Sequence, residues 1–304
     1  MLLSALCSFL ESAGVPSGSA RTTQAFRKGL HDLGYIEGKN ILIEYRYGEG
    51  KLDRIPGLVA ELVQVKIDVL VVSSFVGIRA AKQATKTIPV VMVSGVDPVA
   101  TGIVDSLARP GGNITGLASL SRELSAKRVE LLKEVIPGIS RVAILWDPDA
   151  PGPALAFKEY EAAAQAFKLR LLSVEVRGPN PDFEDAFRTA TKGRAGALII
   201  IANPLIIRSI KQIVGLAAKN RLASIYEASR YVEDGGLVSY SANDLHQWSR
   251  AAVYVDKILK GAKPADLPVE QPTKFDLVFN LKTAKQIGLT IPPNVLVRGD
   301  KVIR

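Results

Sequence analysis

Residues 68–93 run Asp-Val-Leu-Val-Val-Ser-Ser-Phe-Val-Gly-Ile-Arg-Ala-Ala-Lys-Gln-Ala-Thr-Lys-Thr-Ile-Pro-Val-Val-Met-Val. The two apolar, β-branched runs at 68–72 and 89–93 do not alternate with polar residues, so each reads as a strand buried on both faces. Between them small polar residues lead into a helical stretch over 78–85. Strand, helix and strand in that order imply a βαβ unit in a parallel sheet.

The same pattern extends in both directions. Strands are expected at 2–10, 41–45, 142–146, 197–201 and 237–240. Helical spacing appears in Phe26/Leu30/Leu33, Leu58/Leu62/Val65, Phe157/Tyr160/Ala164/Phe167 and Ile206/Ile210/Ile213/Leu216. The pattern runs once to about Gly116 and restarts, after a helix over 124–135, at Val142. Between the two runs, Arg-Pro-Gly-Gly-Asn-Ile-Thr-Gly (109–116) is rich in breakers and suits a chain leaving one domain for the next. A length of 304 residues also fits two domains. A helix over 244–259, an extended segment over 265–280 and a short helix over 281–287 are left over, and the economical placement has the chain recross the boundary. The expected architecture is α/β: two doubly wound, parallel-sheet (Rossmann-like) lobes joined by a multi-strand hinge. The N-terminal lobe takes 1–117 plus 243–273, the C-terminal lobe 118–242 plus 274–304, and a ligand cleft lies between them.

Composition excludes several kinds of chemistry. The net charge of +9 comes from 39 basic and 30 acidic side chains. The basic residues are scattered rather than gathered on one face, and Lys127-Arg128-Val129-Glu130 reads as a solvated helix surface, so no nucleic-acid partner is expected. Cys7 is the single cysteine, which rules out an intrachain disulfide or a cysteine-built metal cluster. His31 and His246 sit in polar, helix-like contexts, and no metal site or cofactor is expected. No apolar run reaches the ~20 residues that cross a bilayer. The opening Met-Leu-Leu-Ser-Ala-Leu-Cys lacks a basic n-region and a small residue before Cys7, so any secretion signal is expected upstream of Met1.

In open α/β sheets, ligands bind beyond the carboxyl ends of the strands. The first such loop, Ser12–Ser19, lacks G-x-G-x-x-G, and no P-loop, G-x-S-x-G or H-E-x-x-H occurs. The strand-end loops are instead rich in small polar residues. Ser12, Ser73, Ser74 and Phe75 could supply hydroxyls, helix N-terminal amides and an aromatic wall; a serine there also caps a helix. Asp97 and Asp147, each before proline, could act as acids or bases, although Asp-Pro also starts turns. Asn203 could bond a ligand or cap its helix. Tyr226, Glu227 and Tyr240 lie at strand ends of the second lobe, where a carboxylate could receive an ammonium; Glu227 also reads as a first-turn acid. Trp146 and Trp248 read as core or hinge packing. Recognition fits these loops better than reaction.

Several strings resemble one family. They include Phe26–Leu30, Leu33-Gly34-Tyr35, Glu37–Ile41, Glu44-Tyr45-Arg46, Asp97-Pro98-Val99, Arg109-Pro110-Gly111-Gly112-Asn113, Gly261–Val269 and Ile287–Pro292. The chain resembles, over nearly its whole length, the ABC-transporter solute-binding family that includes tryptophan-binding lipoproteins. The resemblance implies a type I periplasmic-binding-protein fold, a non-enzymatic monomer, an extracytoplasmic location and a membrane permease as partner. The implied ligand is a small carboxylate-bearing molecule such as an aromatic or other amino acid, held by lobe closure. Relatives often carry Thr or Ser then Pro at Phe75-Val76, and Asn at Asp147, so their ligand does not transfer directly. Two alternatives stay open: a cytoplasmic ligand sensor with the same fold, and an α/β enzyme using Asp97 or Asp147.

Overall fold

The computed structural model describes residues 5–11, 20–49, 51–118 and 121–304. The chain divides into two compact units, one of residues 1–120 and 243–273, the other of 121–242 and 274–304. In chain order the first unit contributes β1 (Ala5–Glu11), α1 (Ala20–Asp32), β2 (Ile41–Tyr47), α2 (Ile55–Gln64), β3 (Val69–Ser73), α3 (Phe75–Ala84), β4 (Val90–Ser94) and β5 (Ile114–Ala118). The second follows with α4 (Ser121–Val135), β6 (Arg141–Trp146), α5 (Pro151–Ala166), β7 (Arg170–Glu175), α6 (Phe183–Lys192), β8 (Ala197–Ile200), α7 (Pro204–Arg208), α8 (Ile210–Lys219), β9 (Ala223–Tyr226), α9 (Ser229–Glu233) and β10 (Val238–Ala242). The chain then gives α10 (Asp244–Leu259) to the first unit. It returns to the second for β11 (Phe275–Asn280), α11 (Leu281–Ile287), α12 (Pro293–Leu296) and β12 (Lys301–Ile303).

The sheet of the first unit has the order β2-β1-β3-β4-β5 and is parallel throughout. Its two faces are set by the two-residue period of the strands. Leu70, Val72, Val90 and Met92 pack with Ile55, Val59 and Leu62 of α2 and Ile78 and Ala81 of α3. Val69, Val71 and Val91 face the other way, onto Phe26 and Leu30 of α1 and Trp248, Ala251 and Val255 of α10. This two-sided cover explains why 69–72 shows no alternation of polar and apolar residues. Helix α10 lies close against α1, because a Cβ at Gly29 would sit 2.8 Å from that of Ala252.

The second sheet has the order β12-β11-β10-β9-β8-β6-β7, with β10 and β11 antiparallel and the other pairs parallel. Val142 and Ile144 pack toward α4 and α5. Ala143 and Leu145 pack toward α6 and α8. Both tryptophans are core residues: Trp146 stacks on Phe157 at 4.3 Å, and Trp248 packs on Phe9 at 4.9 Å. Among the described residues no helix is long and apolar enough to cross a membrane.

Several elements differ from the sequence reading. The stretch 109–116 is not an exit from the first unit; its last three residues open β5, which pairs with β4 from Val90↔Ile114 to Ser94↔Ala118. Gly116 looks like a breaker but is required there: at φ +131°, a Cβ would lie 2.2 Å from the Met92 carbonyl oxygen. Strand β7 escapes notice because it is an edge strand with polar, exposed positions. The extended segment 265–280 serves both units. Glu270 exchanges backbone bonds with Gly116 and Ala118 beside β5, and Phe275 begins β11.

Candidate functional site

In each unit the polar groups singled out above gather at the carboxyl ends of the strands. In the first unit, Ser73 ends β3 and Ser74 caps α3, its hydroxyl accepting from the Gly77 amide at 3.3 Å. Ser74 holds φ +71° and ψ 147°, a region that essentially only glycine occupies at ease, so the loop stores strain of about 1–3 kcal/mol. Phe75, half-buried, packs at the margin of the core beneath α3. Asp97 follows β4, and its Oδ1 accepts from the Val99 and Ala100 amides at 2.8 and 3.1 Å. That oxygen nucleates a turn, which is the structural role Asp-Pro offers. Ser12 lies outside the described residues.

In the second unit the carboxyl ends carry a buried polar network. Asp147, after β6, is 7% exposed; its Oδ2 accepts from the Asn203 side-chain amide at 2.8 Å and its Oδ1 from the Asp149 amide at 3.0 Å. The carbonyl oxygen of the Asn203 side chain accepts from the Ile206 amide at 2.8 Å and so caps α7. Asn203 therefore both caps its helix and fixes a carboxylate. Glu227 is not a first-turn acid, since α9 begins at Ser229 with Ala228 as its cap. Its Oε2 accepts from the Ala202 amide at 2.9 Å, and its Oε1 from the Tyr160 hydroxyl at 3.0 Å and Arg128 Nη1 at 3.4 Å. Arg128 Nη1 also donates to the Tyr160 oxygen at 3.0 Å, and its Nε to the Tyr240 carbonyl at 2.8 Å. The Tyr240 ring stacks on Phe275 at 5.8 Å.

Two further expectations need correction. Tyr226 is fully buried, packs against Tyr231 at 5.7 Å and shares its hydroxyl with Ser224 at 2.9 Å, so it belongs to the core rather than to a binding surface. Burial pushes its phenol well above the usual range. Arg128 is not a surface residue. Lys127 pairs with Glu130 at 2.8 Å on the outside of α4, whereas Arg128 is 4% exposed. The helical period contained the signal: Arg128 stands four residues from Leu124 and from Leu132, on the helix's apolar stripe.

Desolvation opposes a charge on a buried guanidinium, yet Tyr160 and Glu227 more than offset it and Arg128 stays protonated. Burial pushes the Tyr160 phenol far up, against the pull of Arg128, which keeps its proton available to Glu227. Glu227 faces the guanidinium of Arg128, whereas the charge of Asp147 is felt by Arg177, which itself pairs with Asp149 and Glu175. Glu227 retains 21% side-chain exposure, and its Oε2 has accepted only one donor within the network. The arrangement presents a preset hydrogen-bond acceptor of negative charge, suited to an ammonium or another N–H donor. Among the described residues, no group of three or more His, Cys, Asp and Glu side chains could hold a metal ion.

Comparison with known proteins gives a consistent result. The model of a family described as ABC transporter substrate binding protein matches residues 15–303. A tyrosine-binding protein of Clostridioides difficile is 23% identical over 270 residues, covering 88% of this chain and 77% of that protein. A conserved domain protein of Vibrio cholerae superposes with a TM-score of 0.91 at 27% identity, covering 98% of this chain and 99% of the other. An ABC domain from Streptococcus pneumoniae, solved in complex with L-Trp, superposes with a TM-score of 0.88 at 25% identity over 99% of this chain and all of the other.

Proposed function

This chain belongs to the ABC transporter substrate-binding protein family, and we propose that it is an extracytoplasmic receptor that captures an amino acid and passes it to a membrane permease. It acts by binding and not by catalysis. The observation that carries this reading is the acceptor built at Glu227, whose carboxylate is held by Ala202, Tyr160 and Arg128 while part of it stays exposed. Asp147, held by Asn203, is a second carboxylate at the same end of the sheet. A fixed carboxylate that keeps part of its surface exposed favours the ammonium of an amino acid over a simple carboxylic acid.

In this reading Asp147, Asn203, Glu227 and Tyr240 of the second unit meet the ammonium of the ligand. Within the first unit Ser73, Ser74 and Phe75 are the candidate ligand contacts, on a stretch followed by the turn that Asp97 orders. The tyrosine-binding and tryptophan-bound relatives support an aromatic amino acid.

Thermal unfolding in the presence of L-tyrosine, L-tryptophan and the other amino acids tests the proposal. A ligand present at 100 times its Kd stabilises by about 2.7 kcal/mol, a rise that is easily seen. The expected result is stabilisation by one or a few amino acids and none by their deaminated acids. A flat response to the whole panel, with protein unfolded and refolded to strip carried-over ligand, overturns it.

A further inference from the structure

Arg128 touches more than Glu227. One edge of its guanidinium meets Tyr160 and Glu227, and its Nε meets the Tyr240 carbonyl in β10. Two residues after Tyr240 the chain leaves the second unit, at Ala242–Asn243, and it re-enters at Thr273–Lys274. The strands on either side of these passages are partners: Ala242 pairs with Phe275 and Tyr240 with Leu277, and the Tyr240 ring stacks on Phe275. A single buried cation thus joins the proposed ligand acceptor to the strand pair through which the chain passes between the units.

We infer that Arg128 is a positioning residue for capture, tying the Glu227 carboxylate to β10 so that occupancy at Glu227 is felt where the chain crosses between the units. The chemistry of the side chain fits this role. A guanidinium is planar, always charged and has donors on separate edges, so one group can serve a carboxylate and a backbone carbonyl at once. A lysine ammonium on its flexible stem is a point charge and does not hold both in fixed directions. The inference rests on the reading that Glu227 meets the ligand, but the tie itself is present without one.

Hydrogen exchange of the full chain, resolved at residues 239–242, is the test. In ligand-free protein, Glu227→Gln is expected to speed exchange there by about fivefold while β6 amides at 142–145 keep their rates, as a local opening does and a global loss of stability does not. On an Arg128→Gln background the same change is expected to add nothing, because the tie is already cut. Effects that simply multiply, or that spread equally to 142–145, overturn the inference. If Arg128→Gln does not fold, Arg128→Lys replaces it, with the same lack of added effect expected.

A second arm uses L-tyrosine or L-tryptophan at saturation. Bound ligand is expected to slow exchange at 239–242 in wild type, but not in Arg128→Gln. Equal slowing in Arg128→Gln overturns the inference. Absence of binding by wild type overturns the reading of the ligand, and the ligand-free comparison still decides the tie.

Discussion

Asn203 donates its side-chain amide to the Asp147 carboxylate at 2.8 Å and, with the other end of the same group, caps helix α7 at the Ile206 amide. Both residues are buried, at 4% and 7% exposure. One planar amide therefore fixes the ends of β6 and β8 relative to each other. Asn203→Ala removes a helix cap, typically about 1 kcal/mol, and leaves a buried carboxylate short of a donor, about 1–3 kcal/mol more. Urea denaturation is expected to show a loss of roughly 2–4 kcal/mol for this variant. A loss below ~0.5 kcal/mol counts against the dual role.

Ser74 separates two effects that usually coincide. Ser74→Ala keeps the positive φ and loses the cap to Gly77, and is expected to destabilise by about 1 kcal/mol. Ser74→Gly loses the same bond but relieves the strain, since glycine reaches this conformation freely. It is expected to be more stable than Ser74→Ala by about 1 kcal/mol or more in the same denaturation experiment. Equal stabilities would show that the loop is not strained.

Glu270 pairs with Arg250 through two contacts, at 3.0 and 2.5 Å, on the segment that runs beside β5. Burial raises its carboxyl, but the bonds from Arg250 outweigh that and hold it below its ordinary value. Because the folded-state value is depressed, the pair's stabilisation is complete above the ordinary carboxylate range and disappears as the pH falls through the folded value. Wild type is therefore expected to exceed Glu270→Gln in unfolding temperature at neutral pH, with the gap closing in the acid range. A gap that stays constant from neutral to acid pH contradicts the assignment.

Cys7 sits in β1 with no exposed surface, and burial, with a smaller contribution from the Asp68 charge, pushes its thiol up to about 12. Thiol reagents act on the thiolate. The native chain is expected to give no reaction with a disulfide reagent at neutral pH over hours, and one equivalent after denaturation. Rapid labelling of native protein would show that the first strand opens.

Much of the scaffold was legible in residues 68–93 and their repetitions, because a strand covered on both faces must be apolar at every position, as 69–72 is. The short polar loops at strand ends followed from the same reading, and Ser73, Ser74, Asp97, Asp147, Asn203 and Glu227 were visible there as chemistry without partners. What escaped was whatever depended on a neighbour far away in sequence. The glycine in β5 looks like a breaker until Met92 lies against it. Arg128 looks like a surface charge until Glu227, 99 residues on, faces it. Tyr226 looks like a strand-end ligand residue until Ser224 and Tyr231 enclose it.

Sequence by itself determined the alternation of strands and helices, the exclusion of an intrachain disulfide, and the resemblance to the substrate-binding family, because these rest on local period and on residue types present or absent. Only the tertiary structure decided which polar groups are spent on one another. Burying a charge is costly unless a partner stands within bonding distance. The Arg128–Tyr160–Glu227 and Asp147–Asn203 sets exist because the fold brings residues of α4 and α5 together with the ends of β6, β8 and β9 and with β10, across as many as 112 residues between Arg128 and Tyr240.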